Sequence, residues 1–319
     1  ILVGGTHRVE QLTSLIRSGR PDVVGLIEAI DEHVVKAIAE RLGMQYRLSG
    51  RARDKEGWQG AVLSRLPILD VKIHTSAVIT KQPLLEVCIA EANAQRLTVF
   101  VTHLTANFSK GWAANRARRQ EIRELLRIMA ACRGTKHLLM GDFNSLAPGE
   151  RLRGSAFLRY VTDPELYYQL KPDPAIQAPD LDFVIPSALR IMKPLLVQVP
   201  KSKHLSTMLN SLDIFYAPRG GIDLLNQAGY IDCYRSLQSD KQGFTWPAPI
   251  PSGRVDFIFA SPELAPQLVA ADVIVNSKDV SASQASDHLP IFAEFGTTVA
   301  TPFENEKQEH LSQSIPVQK

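Results

Sequence analysis

His137-Leu138-Leu139-Met140-Gly141-Asp142-Phe143-Asn144-Ser145 is a short apolar run that ends on glycine and then sets a carboxylate and a carboxamide two residues apart. A run of this length bounded by turn formers reads as a buried strand. Gly-Asp-x-Asn after it reads as an Asx-rich turn as readily as a reactive site. What tips the balance is that the arrangement recurs. Glu28 follows Val23-Val24-Gly25-Leu26-Ile27, and His103 follows Thr98-Val99-Phe100-Val101-Thr102. Asp256 lies within Arg254-Val255-Asp256-Phe257-Ile258-Phe259, and Asp287-His288 precede an apolar run from Leu289 to Phe295. Singly, a glutamate at a strand end is more often solvated or capping, and a lone histidine more often a satisfied core or turn residue. Asp256 is harder to dismiss, because a carboxylate inside an apolar strand needs a partner. Strand ends converge at one edge of a sandwich, and five such sites are hard to explain as separate accidents.

Working outward, residues 6–19 set Val9, Leu12, Leu15 and Ile16 on one helical face, with Gly19 as the expected stop. Residues 31–42 read as a second amphipathic helix, opened by Asp31 and closed by Gly43. Residues 59–64, 69–75, 84–90 and 96–102 read as successive strands of an antiparallel meander. A long helix is expected over about 112–132, with Ile122, Leu125, Leu126 and Met129 on its apolar stripe. Residues 151–220 hold eight prolines and short apolar bursts, and read as an irregular insertion. A short helix at 222–229 and strands at 254–260, 272–276 and 288–295 follow, and the polar segment 297–319 reads as a disordered tail. Helix–strand units, a meander and further strands together predict two packed sheets with helices outside, in one catalytic domain over 1–296.

Composition sets looser bounds. The chain has 319 residues, 45% hydrophobic and 22% charged, with net charge +3, which suits a globular protein and an anionic substrate without demanding one. Cys88, Cys132 and Cys233 form no CxxC pair and read as reduced thiols, which places the expected compartment in the cytoplasm. No apolar run is long enough for a membrane span. The opening Ile1-Leu2-Val3-Gly4-Gly5, without methionine, reads as the end of a strand, which leaves an upstream segment open, a removed signal peptide included.

The sequence resembles the endonuclease/exonuclease/phosphatase superfamily, the exonuclease III and deoxyribonuclease I-like hydrolases. The matching pieces are PDVVGLIEA (21–29), QGAVLSRLPI (59–68), VTHL (101–104), GDFNS (141–145), RVDFIF (254–259) and SDHLP (286–290). GDFN and SDHxP together are the specific part. The resemblance implies an α/β fold, a four-layer α/β/β/α sandwich of two mixed sheets, with a Mg²⁺ site in which Mn²⁺ substitutes. It implies that Glu28 binds the metal, that Asp287 completes the metal site directly or through water, and that Asp142 orients or deprotonates the attacking water. It implies that Asn144 holds the phosphate, that Asp256 pairs with His288, that His288 contacts the scissile phosphate, and that His103 lies near the leaving group. Phosphate esters repel nucleophiles, and a hard cation on carboxylate oxygens offsets that charge. Family members carry an asparagine just before the stretch that Ile1-Leu2-Val3 continues. It is absent here, and weakened metal or phosphate binding is the expectation.

The substrate stays open between a phosphodiester, with DNA or RNA as the partner, and a small or lipid phosphate ester. A non-catalytic module on the same fold is disfavoured, since each motif keeps its reactive side chain. Arg116, Arg119, Arg123 and Arg127 read as a solvated helix face before they read as phosphate contacts. Trp58, Trp112 and Trp246 read as packing residues before they read as base-stacking ones. A monomer is assumed.

Overall fold

Three apolar clusters divide the molecule into four layers. The computed structural model describes residues 5–29, 31–50, 59–79, 82–91, 95–163, 181–211, 219–277 and 279–296. Ile1-Leu2-Val3, Trp58, residues 164–180 and 212–218 of the insertion, and the 297–319 tail lie outside them.

The chain opens with α1 (Gly5–Gly19), β1 (Val23–Leu26), α2 (Glu32–Leu42), β2 (Gln45–Leu48) and β3 (Ala61–Ser64). It continues through β4 (Ile68–His74), β5 (Leu84–Ala90), β6 (Arg96–His103), α3 (Trp112–Met129) and β7 (His137–Asp142). Helices α4 (Gly154–Thr162), α5 (Leu181–Val184), α6 (Lys193–Leu196) and α7 (Lys203–Ser211) come next. The last elements are α8 (Ile222–Gln227), β8 (Ile231–Asp232), α9 (Cys233–Leu237), β9 (Asp256–Ala260), β10 (Leu268–Val273), α10 (Ala282–Ala285) and β11 (Ile291–Phe295).

Six strands form one sheet in the order β4-β5-β6-β7-β9-β8. A three-stranded sheet, β1-β3-β2, and the antiparallel β10–β11 pair cover its inner face. Alternation along single strands builds the layers. Val99 and Val101 of β6 and Leu138 of β7 point into the cluster between the sheets, with Val62, Leu85, Val87 and Ala271. Phe100 and Leu139, one residue out of phase, point the other way and pack with Phe257 and Phe259 under Ile122, Leu125 and Met129 of α3 and Ile222 and Leu225 of α8. On the opposite side, Leu63 meets Leu12 and Leu15 of α1 and Val35 and Ile38 of α2. Each such apolar side chain contributes roughly 1.5–3 kcal/mol by leaving water. The result is an α/β/β/α sandwich.

Local signals explain most element ends. Asp31 caps α2, its carboxylate accepting from His33 N at 2.8 Å, and Gly43 closes it at φ 65. Helix α1 includes Gly19, and Arg20 at φ 47 takes the left-handed position expected of the glycine. The meander is β4-β5-β6 alone, because β3 pairs with β1 and β2 in the other sheet. β10 begins at Leu268, four residues before the expected start.

The described part of the insertion is helical, with its own core of Leu158, Tyr160, Val161, Leu181, Ile185 and Val199. Two of its prolines stand in first turns, Pro194 in α6 and Pro200 in a 3₁₀ turn, where the missing N–H costs nothing.

Candidate active site

Strands β6 and β7 run parallel, so both end at one edge, and antiparallel β9 begins there. The register pairs His103 with Asp142 and Asp142 with Asp256. Three of the expected residues therefore form a row across three neighbouring strands. Gly141 permits this. A Cβ there would stand 1.9 Å from the Thr102 carbonyl oxygen, at a φ of +150° that L side chains rarely adopt.

Beyond the row the chain turns sharply. Asn144, at φ 47, donates its backbone N–H to Asp142 Oδ1 at 2.7 Å. Its side-chain amide donates to Asp142 Oδ2 and to the Leu104 carbonyl, both at 3.0 Å. Both amide hydrogens are thus engaged, one on Asp142 and the other on the Leu104 carbonyl. His103 Nε2 lies 3.3 Å from Asp142 Oδ2 and is almost fully buried, so it stands behind Asp142. The loop after His103 is pinned by buried charges of α3. Arg118 donates to the carbonyls of Thr105 and Ala106 at 3.0 and 2.7 Å, and Glu121 Oε2 accepts from Thr105 N at 3.1 Å.

His288 arrives from the opposite layer. Leu289 N donates to Thr245 O at 2.8 Å and Ala248 N to Asp287 O at 2.7 Å, which fastens the 286–289 turn beside β9. His288 Nδ1 then meets Asp256 Oδ2 at 2.9 Å. Donor atoms of Asp142, Asp256 and His288 all lie within 4.8 Å of one another. Burial pulls the His288 pKa down, but Asp256, its hydrogen bond, Asp142 and Asp287 outweigh that and hold it up at about 10. Burial pushes the Asp256 carboxyl up, against the pull of His288.

Glu28 and Asp287 are not in that group of three. Glu28 stands just past β1 at φ 57. The strand before it crosses β6 and β7 close to their last residues. A Cβ at Gly25 would touch Met140 and Val101, and one at Gly60, just before β3, would touch Gln82 and Val101. Asp287 adjoins His288 and acts electrostatically on Arg8 of α1.

The sequence matches the endonuclease/exonuclease/phosphatase family over residues 2–288. The chain belongs to that family. No curated protein matches it in sequence. Among solved structures, an AP endonuclease from Archaeoglobus fulgidus superposes with a TM-score of 0.59 at 15% identity, covering 92% of this chain and 96% of that one. A variant of the 3′ phosphatase NExo from Neisseria, bound to a product DNA hairpin, gives 0.57 at 20%, covering 91% and 95%. A humanized D. rerio TDP2 gives 0.52 at 18%, covering 91% of each. At these identities the likeness is one of fold.

Two features of this family member escape a motif reading. Trp246 lies 6.1 Å from the His288 ring, stacks on Phe108, and is backed by Phe157 and Tyr160 of α4. The insertion therefore reaches the aromatic wall of the site. Arg8 is 7% exposed, and burial lowers its pKa, partly restored by Asp287 and Tyr160. Its signal was present in the sequence: Arg8 falls on the α1 stripe of Leu12 and Leu15, where a cation needs a carboxylate.

The His288–Asp256 pair gives a pH signature in metal-free protein. The folded pKa lies above the unfolded value, so the pair's stabilisation is complete below about pH 6.5 and is lost as pH rises towards about 10. The His288 ring-proton NMR signal is expected to stay still between about pH 5 and 8, where an ordinary histidine titrates. A midpoint near 6.5 would show that the pair does not form.

Proposed function

We propose that the protein is a divalent-metal-dependent phosphodiesterase, nuclease-like in substrate, in which water attacks phosphorus. The observation that carries this is the convergence of Asp142, Asp256 and His288, with Asn144 and His103 on Asp142.

The donor set suits a hard cation. Glu28, Asp142, Asp256 and Asp287 offer carboxylate oxygens, and the site holds no thiol. Oxygen ligands favour Mg²⁺ or Mn²⁺ over softer metals. His288 Nδ1 is already engaged by Asp256, so Glu28 and Asp287 are the residues that would hold the ion. When bound, it supplies Lewis-acid neutralisation of the phosphoryl charge.

The remaining steps belong to the chain. Asp142, fixed by two hydrogen bonds from Asn144 and backed by His103, is held to accept a proton from the attacking water. His288, charged by its pairing with Asp256, presents Nε2 as a donor to a phosphoryl oxygen. Asn144 acts by bracing Asp142, and would bind phosphate directly only by releasing a hydrogen bond to Asp142 or Leu104. His103 acts through Asp142. Trp246 offers an aromatic face beside the reacting phosphate, which suits a nucleoside-bearing ester over inorganic-like monoesters.

The test compares bis-p-nitrophenyl phosphate with p-nitrophenyl phosphate in Mg²⁺. Higher kcat/KM on the diester is expected. Preference for the monoester would move the activity to that of a phosphatase.

A further inference from the structure

The insertion carries a surface that the active site does not use. From residue 183 to 212 there is no acidic residue, while Arg190, Lys193, Lys201 and Lys203 are basic. Within that span, apolar side chains point in two directions. Val199 is buried, and Leu196, Val197, Leu205 and Leu209 pack on the insertion's own core. Ile191, Met192 and Leu195 point out, 89, 42 and 47% exposed, and Met208 on α7 is 54% exposed. Ile191 is the most exposed large apolar side chain of the described residues. Ile191 lies at the end of a 3₁₀ turn and Leu195 in α6, which follows it directly, and both are exposed with cations at 190 and 193 between and beside them.

Charge selects the occupant. Arg190 and Lys193 are tied to Asp182, Lys193 Nζ at 3.2 Å from its carboxylate. Lys201 and Lys203 are exposed and have no carboxylate partner among the described residues. Exposed Ile, Met and Leu interleaved with cations, and no acid, are the composition of an interfacial helix. A nucleic-acid strand would use the cations but would leave Ile191 and Leu195 in water. We propose that residues 190–208 dock the protein on an anionic lipid bilayer, the apolar side chains entering the acyl boundary and the lysines meeting headgroup phosphates.

The proposal does not depend on the phosphodiesterase reading. The full chain would be sedimented with phosphatidylcholine vesicles, with and without phosphatidylserine, at low and high salt. Binding to the phosphatidylserine vesicles, weakened by salt, is expected. The double variant Ile191→Glu/Leu195→Glu, and separately Lys201→Glu/Lys203→Glu, should each lower the vesicle partition coefficient at least about tenfold. All four positions are exposed, so an unchanged thermal melt and unchanged p-nitrophenyl ester turnover are expected. No binding to anionic vesicles overturns the proposal. Binding that ignores Ile191→Glu/Leu195→Glu and is competed by a single-stranded oligonucleotide also overturns it, in favour of a polyanion site. A change in elution volume on gel filtration caused by Ile191→Glu/Leu195→Glu would reassign the patch to self-association.

Discussion

His288→Ala is expected to lower diester turnover roughly 10²–10⁴-fold, with the fold intact. In the proposed mechanism the imidazole is the charged donor. Asp256 orients it at 2.9 Å, and three carboxylates keep it protonated. Removing it takes away a hydrogen bond that strengthens as negative charge grows on the phosphoryl oxygens, so kcat should fall more than KM rises. Asp142→Ala should fall in the same range, because it removes the proton acceptor and strands Asn144 and His103. Steady-state kinetics with a far-UV spectrum of each variant checks both. A loss under tenfold in either, in a folded protein, would place the chemistry elsewhere.

Arg254→Leu is expected to cost about 3–5 kcal/mol of stability. The guanidinium is 1% exposed and lies over the Phe257 ring at 4.3 Å. It bonds Asp232 at 2.9 Å through one nitrogen and Glu150 at 2.8 Å through another. Burial alone would lower its pKa, but Asp232 and Glu150 more than offset this. Removing the cation leaves two largely, but not fully, buried carboxylates without it, partly relieved by Arg235, which reaches Glu150 at 2.9 Å. Glu150 follows the GDFN loop and Arg254 lies two residues before Asp256, so the network also joins the two halves of the site. Urea unfolding monitored by tryptophan fluorescence gives the number. A change below about 1 kcal/mol would mean that the pair is solvated and contributes as a surface bridge does.

The sandwich was readable because β-strand alternation and helix period are set by burial, and burial is written in single residues such as Val99-Phe100-Val101. The caps at Asp31 and Gly43 were readable for the same local reason. Partner choice was not. β3 looks like a member of the meander, yet its register joins it to β1 and β2, and nothing within Ala61–Ser64 distinguishes the two. β2, Gln45–Leu48, is too polar and short to announce itself. The insertion reads as irregular from its eight prolines and short apolar bursts, although two of those prolines start helical turns.

In the site, the residue types are legible from the sequence and the distances between them are not. A carboxylate in an apolar strand marks Asp256, and the resemblance names His288 as its partner; the structure sets the two 2.9 Å apart. Asn144 is expected on the phosphate from the resemblance, and its hydrogen bonds to Asp142 and to the Leu104 carbonyl are not visible in the sequence. Trp246 gave no sign of its place, because ring contacts to Phe108, Phe157 and His288 join segments far apart in sequence.

The most direct test is hydrolysis of bis-p-nitrophenyl phosphate in heavy-oxygen water, once with Mg²⁺ and once with EDTA. The account predicts one heavy oxygen in the p-nitrophenyl phosphate product, none in p-nitrophenol, and no turnover in EDTA. Label in the phenol, or a rate indifferent to EDTA, would contradict metal-dependent attack of water on phosphorus.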